Sequence, residues 1–124
     1  MVRDIKIGDR KIGDGWPVFI VAEIGVNHNG DPAIAEALIR SAADAGVDAV
    51  KFQTFTTSKL VAKDTLKDGY MKKETGEIGS MYDMFKKLEL PQEAYISLKN
   101  LAESMGLIFF SSPFDKDSVD FLFN

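Results

Sequence analysis

The chain has no cysteine and a single histidine, His28, and these two shortages exclude several classes of function. Without thiols there is neither a disulfide framework nor a thiolate metal site, and the cytoplasm is the simplest expected setting. One histidine cannot build a histidine-rich metal centre, which needs several ligands, so His28 reads as a hydrogen-bonding loop residue. Positive charge is also scarce, with 15 Lys and Arg against 19 Asp and Glu and a formal net charge of -4. That balance argues against a nucleic-acid or anionic-membrane surface, which needs clustered cations, but leaves room for a small anion held by a few local ones. Long apolar runs are missing too. Val18 to Ala22 is far too short to span a bilayer. The opening Met1-Val2-Arg3-Asp4-Ile5-Lys6 mixes charges where a secretion signal would be apolar, so a soluble, unprocessed chain is expected.

What is present is a composition suited to one globular domain: 124 residues, 45% hydrophobic and 27% charged. Ile5 to Gly13 alternates apolar and polar residues about a glycine-bearing turn, which predicts a small hairpin within residues 1–16. Val18 to Ala22 is a continuous apolar run, as in a strand buried on both faces, and it ends in Glu23, Ile24 and Gly25. Asp31-Pro32 offers a helix cap and a proline at the first helical position. Ile34, Leu38, Ile39 and Ala42 follow at helical spacing, and Gly46 supplies a left-handed stop. A second strand, Val47 to Gln53, follows at once.

Between Thr54 and Gly79 no apolar period is visible. Lys59, Lys63, Lys67, Lys72 and Lys73 alternate there with Asp64, Asp68, Glu74 and Glu77, the pattern of a solvated loop or of a lid over a site. Met81, Met84, Phe85 and Leu88 restore helical spacing and read as core. Pro91 opens a longer helix that Gly106 closes. Leu107 to Ser112 is a third strand ended by Pro113, and Asp115 or Asp117 caps a last helix with Val119, Phe121 and Leu122. Three βα units in succession imply an α/β fold with a parallel sheet, occupying residues 17–124 after the hairpin.

In such architectures ligands sit beyond the carboxyl ends of the strands. The residues there are Glu23 on the first strand, Lys51 and Gln53 on the second, and Ser111 and Ser112 on the third. Lys51 and Gln53 are two apart and share a face, with Phe52 turned toward the helices. Glu23 and Lys51 are either a structural ion pair across adjacent strands or groups aimed at a ligand. Ser111 and Ser112 either satisfy backbone groups at a turn or contact that ligand.

Four segments carry a family likeness: Val21-Ala22-Glu23-Ile24-Gly25-Val26-Asn27-His28-Asn29-Gly30-Asp31, Val50-Lys51-Phe52-Gln53-Thr54, Lys86-Lys87-Leu88-Glu89-Leu90-Pro91 and Phe110-Ser111-Ser112-Pro113-Phe114. Together they resemble the N-terminal part of the N-acetylneuraminate (sialic acid) synthase family. The resemblance implies a TIM (β/α)8 barrel, of which 124 residues supply about three of eight units, a whole barrel taking roughly 250 residues. It also implies a transferase that joins phosphoenolpyruvate to an N-acylmannosamine-type sugar and releases phosphate, in carbohydrate biosynthesis. Glu23 and Lys51 would be the catalytic residues, with Lys51, Gln53 and Ser112 binding substrate. A divalent metal, Mn2+ or Mg2+, would act with histidine ligands outside this chain, so no metal-binding residue is assigned within it.

The family's further phosphate-binding residues likewise fall outside the sequence. No asparagine lies between Thr54 and Leu90 to meet the sugar, so neuraminic, legionaminic and pseudaminic precursors all stay open. Two rival readings are a doubly wound binding or signalling module and an aldolase using Lys51 as a Schiff-base amine. Three strands cannot close a barrel, so homo-oligomerisation or completion by the rest of the barrel is expected, and the chain alone is expected to be inactive.

Overall fold

The computed structural model describes residues 4–61 and 81–124. Most of the expected lid-like loop, residues 62–80, lies outside the described residues. The chain opens with an antiparallel hairpin, β1 (Ile5–Ile7) and β2 (Arg10–Ile12), turning at Gly8, which adopts φ +61°. A parallel sheet follows in the order β3 (Val21–Gly25), β4 (Ala49–Thr54), β5 (Ile108–Pro113). Between these strands run α1 (Pro32–Asp44), the short α2 (Thr57–Leu60), α3 (Met81–Leu88) and α4 (Gln92–Ser104), and α5 (Lys116–Phe123) ends the chain.

The local signals act where they stand. Asp31 accepts from the Ala33 N–H and Pro32 takes the first helical position of α1; Gly46, with φ +79°, turns the chain out of it. For α5 the cap is Asp115, which accepts from the Ser118 N–H at 2.8 Å, and Asp117 falls inside the first turn. The core lies between the sheet and α1 and α4, where Val50, Phe52, Ile39, Tyr95, Leu98 and Ala102 are buried together. Phe52 is fully enclosed, and its burial contributes on the order of 2–3 kcal/mol. β4 is the central strand and is buried along its length except at Lys51 and Gln53, which the pleat turns to the other face.

Three expectations need correction. The first parallel strand begins at Val21, not Val18, and is not buried on both faces: Val18 is 81% exposed and Ile20 50%. Among the described residues β3 pairs only with β4, so it is an edge strand there, and an apolar run is buried only where a second layer covers it. Residues Thr57–Leu60, expected to be loop, form one helical turn. Met81, Met84 and Phe85 are half-buried rather than core; Phe85 meets Phe55 edge-on at 5.7 Å, a satellite contact between α3 and the end of β4.

Arg10 anchors the hairpin to the opposite end of the sheet from the candidate site. Its guanidinium donates to Asp48 Oδ1 at 2.7 Å and to the Gly106 carbonyl at 2.9 Å, while Asp48 Oδ2 accepts from the Ile20 N–H. Asp48 is thereby occupied at the entrance to β4, and strand two begins one residue later, at Ala49.

Candidate functional site at the carboxyl ends of the strands

The parallel register decides which side chains meet. Glu23 stands opposite Lys51, Lys51 opposite Phe110, and Gln53 opposite Ser112. Since partners in a ladder share a face, Glu23, Lys51 and Phe110 make one row, with Gln53 and Ser112 beside it toward the carboxyl ends. Lys51 Nζ lies 2.9 Å from Glu23 Oε2, and the two side chains remain 33% and 45% exposed. An ion pair this open adds little to stability, about 0–1 kcal/mol. Its place at the strand ends, on the face away from the helices, therefore matters more than its strength.

Gly25 shapes the same corner. The β3–β4 register slips between Glu23 and Gly25, and Gly25 takes φ +57°. A Cβ there would come within 3.2 Å of Glu23 Oε1 and 3.4 Å of Gln53 Nε2. The glycine thus leaves clear the space onto which the carboxylate and the amide both border.

Ser111 and Ser112 separate cleanly. Ser112 shares Gln53's row on the open face, whereas Ser111 pairs with Phe52 and points toward the helices, where its Oγ lies 2.6 Å from Thr54 Oγ1. The structure therefore brings Glu23, Lys51, Gln53 and Ser112 to one face and removes Ser111. Gly25 and Phe110 also belong to that face without having been singled out in the sequence. Period-two alternation back from Ser112 points to Phe110; the slip at Gly25 leaves no such signal.

His28 lies under this corner rather than on it. It is completely buried, stacks on Phe52 with ring centroids 5.9 Å apart, and accepts at Nδ1 from the Gly30 N–H at 2.9 Å. Nε2 has no hydrogen-bond partner among the described residues. Burial lowers the imidazole pKa, and the Gly25 backbone beside it acts in the opposite direction without overcoming it. Protonation would also set a ring N–H against the Gly30 N–H. A depressed pKa favours the fold above the unfolded value of 6.5 and withdraws that support as pH falls through the folded value. The urea midpoint is expected to fall between pH 7.5 and pH 5.5, and His28→Gln should flatten that part of the profile; an unchanged slope in the variant would remove His28 as the cause.

The loops around the site are tied by two carboxylates. Glu89 accepts from the Thr57 N–H at 3.1 Å and hydroxyl at 2.7 Å and from Lys86 at 3.3 Å. Burial acts to raise its pKa, but these donors outweigh burial and hold it below the usual carboxylate range. Asp115 reaches across to the Thr56 N–H at 2.7 Å, joining the loops after β4 and β5. Its pKa is likewise lowered: burial opposes, while the Thr56 and Ser118 N–H groups and Lys59 prevail. Neither carboxylate is part of a metal-ligating group. Among the described residues no three His, Cys, Asp or Glu side chains cluster as a metal would require, and Glu23 alone does not fit a divalent ion.

Residues 38–124 match the model of the NeuB family. The chain belongs to the NeuB family. An N,N'-diacetyllegionaminic acid synthase of Legionella pneumophila is 45% identical over 115 residues, 93% of this chain and 32% of that protein. The N-acetylneuraminate-9-phosphate synthase of Homo sapiens is 36% identical, covering 91% of this chain and 31% of its own length. Among solved structures, the N-acetylneuraminic acid (sialic acid) synthetase of Leptospira borgpetersenii in complex with citrate superposes with a TM-score of 0.75. It is 32% identical over 98% of this chain and 38% of that one.

This NeuB chain thus spans about a third of the length of these relatives, and its hairpin and three βα units correspond to that share of a sialic acid synthase TIM barrel. The relatives are carbohydrate-biosynthesis synthases. No helix among the described residues is long and apolar enough to cross a membrane.

Proposed function

We propose that this chain forms one wall of a site that condenses phosphoenolpyruvate with an N-acylated mannosamine-type aldehyde to a nine-carbon 2-keto sugar acid. Carbon 3 of phosphoenolpyruvate bonds to the aldehyde carbon, whose oxygen takes up a proton; water adds at carbon 2, and inorganic phosphate leaves from it. The observation that carries this reading is the convergence of Glu23 and Lys51, 2.9 Å apart, with Gln53 and Ser112 on one open face at the strand ends. Lys51, a compact ammonium charge, holds the anionic groups of phosphoenolpyruvate with the Ser112 hydroxyl beside it. Glu23 orients the reacting carbons or the incoming water, and Gln53 meets the sugar. The named relatives, among them a pseudaminic acid synthase of Campylobacter jejuni, make three related products, which supports the substrate class and leaves the acyl pattern of the sugar open.

A Schiff-base aldolase has less support, because Lys51 is engaged by Glu23 instead of lying in an apolar pocket of the kind that activates such amines. The family match weighs against a signalling module. The divalent ion expected from the likeness does not fit the described residues, and no step assigned to this chain runs through it. Residues 1–124 are then part of one barrel domain, with the hairpin in 1–16 and the βα units in 17–124, in a cytoplasmic enzyme. The edges of β3 and β5, unpaired among the described residues and with Val18, Ile20, Phe110 and Phe114 exposed near them, suit further βα units of such a barrel or a second copy, without which the chain is inactive.

Phosphoenolpyruvate titrated into the 15N-labelled chain is expected to shift the amides of Lys51–Thr54 and Ser112 and to leave the hairpin unchanged. Shifts confined to the hairpin or to the helix-covered face would rule this site out.

A further inference from the structure

On the helix side of the sheet, directly behind Gln53 and Ser112, four oxygen atoms form a chain that the proposed chemistry leaves unused. Ser111 Oγ and Thr54 Oγ1 are 2.6 Å apart, Thr54 Oγ1 donates to the Tyr95 phenol oxygen at 3.0 Å, and the phenol donates to the Gln53 carbonyl at 3.3 Å. Thr54 and Tyr95 are buried. The direction of the chain is forced. A carbonyl only accepts, so the phenol spends its one proton on Gln53; Thr54 must then donate to the phenol, and Ser111 to Thr54. Each hydroxyl has a single setting, and donor chains of this kind strengthen one another at low dielectric. Burial pushes the Tyr95 phenol pKa up, with Glu89 acting in the same direction against the Thr54 bond, so the proton the chain needs stays in place.

The two ends of the chain are not arbitrary positions. One is the carbonyl of Gln53 itself and the other is the residue before Ser112, and Gln53 and Ser112 are register partners. The last β3–β4 pair is Gly25 with Phe52, so Gln53 lies one residue beyond the support of β3. The Tyr95 ring is held independently by Phe52, Phe109 and Phe121, at centroid distances of 6.5, 6.5 and 5.3 Å. The hydroxyl is therefore carried by a fixed ring and bonds to the strand end at the row that faces the ligand.

We propose that Tyr95 is a positioning residue, acting through the Gln53 carbonyl and the Thr54 and Ser111 hydroxyls to fix Gln53 and Ser112 on the opposite face. The proposal rests on the reading of that face as the ligand site, but part of its test is independent of ligand.

The test compares the full chain with Tyr95→Phe, which keeps the ring packing and removes only the hydroxyl. Expected are broadened or shifted Gln53 side-chain amide signals and faster hydrogen exchange at Gln53, Thr54 and Ser112. Phosphoenolpyruvate affinity should be about five-fold weaker, the scale of one lost hydrogen bond. Thr54→Val should reproduce the same signature, and it decides the matter alone if Tyr95→Phe does not fold. Loss of global stability with unchanged Gln53 and Ser112 signals would overturn the proposal. If the parent chain shows no response to phosphoenolpyruvate, the functional reading fails, while the positioning role still stands or falls on the ligand-free signals.

Discussion

Lys51→Met is expected to weaken phosphoenolpyruvate binding at least ten-fold while changing stability by less than about 1 kcal/mol. Both halves follow from geometry. The ammonium is the only cation among the described residues of the wall row, and charge-assisted hydrogen bonds to an anion are each worth about 1.5–3 kcal/mol, or roughly 10- to 150-fold. Its partner Glu23 is nearly half exposed, so losing the pair leaves a carboxylate that water can solvate. Methionine keeps the apolar stem and removes the charge. Calorimetric titration with phosphoenolpyruvate and urea unfolding of the same samples separate the two explanations of the pair. A structural ion pair would lower stability and leave affinity alone; a ligand site does the reverse.

Gly30→Ala is expected to cost about 3 kcal/mol of stability, the range of a severe backbone conflict. Gly30 has φ +73°, and a Cβ there would stand 2.3 Å from the Lys87 carbonyl oxygen and 3.3 Å from that of Glu89. These are backbone atoms at the join of α3 and α4 and cannot rotate aside. Gly46 is the control, because its φ of +79° is similar but nothing lies within 4 Å of its added Cβ. Gly46→Ala should cost about 1–2 kcal/mol, the left-handed penalty alone. Equal losses in the two variants, read from urea midpoints, would show that the close approach at Gly30 is relieved by a small shift. The stakes are local as well as global, since the Gly30 N–H also holds His28.

These examples mark where sequence reading reaches and where it stops. The start of α1 is legible because cap, proline and apolar stripe lie within a few residues of one another, and the same holds for the alternation that separates Lys51 and Gln53 from Phe52. Whether Ser111 or Ser112 stands on the open face with Gln53 is not legible, because alternation gives two faces but only the register against β4 says which is which. Val18 looks like a buried strand residue because its neighbours are apolar; its exposure depends on what lies beside β3. Nothing in the sequence around Gly30 announces a carbonyl arriving from Lys87. Tyr95 fits the apolar stripe of α4 so well that its hydroxyl, bonded 41 and 42 residues back in the chain, is invisible until the fold brings the strand end to it.

The hairpin raises a matter of timing. Two strands alone are marginal in water, so β1 and β2 depend on Arg10, whose partners lie 38 and 96 residues further along. Contacts that span so much chain form only after the intervening loop has been closed by other interactions, because the entropy of closing it must be met first. Residues 5–12 come early in the sequence, yet their anchor exists only once the turn at Gly106 has reached the start of β4. The hairpin is thus expected to be among the last segments to settle, its docking following the pairing of the strands behind it.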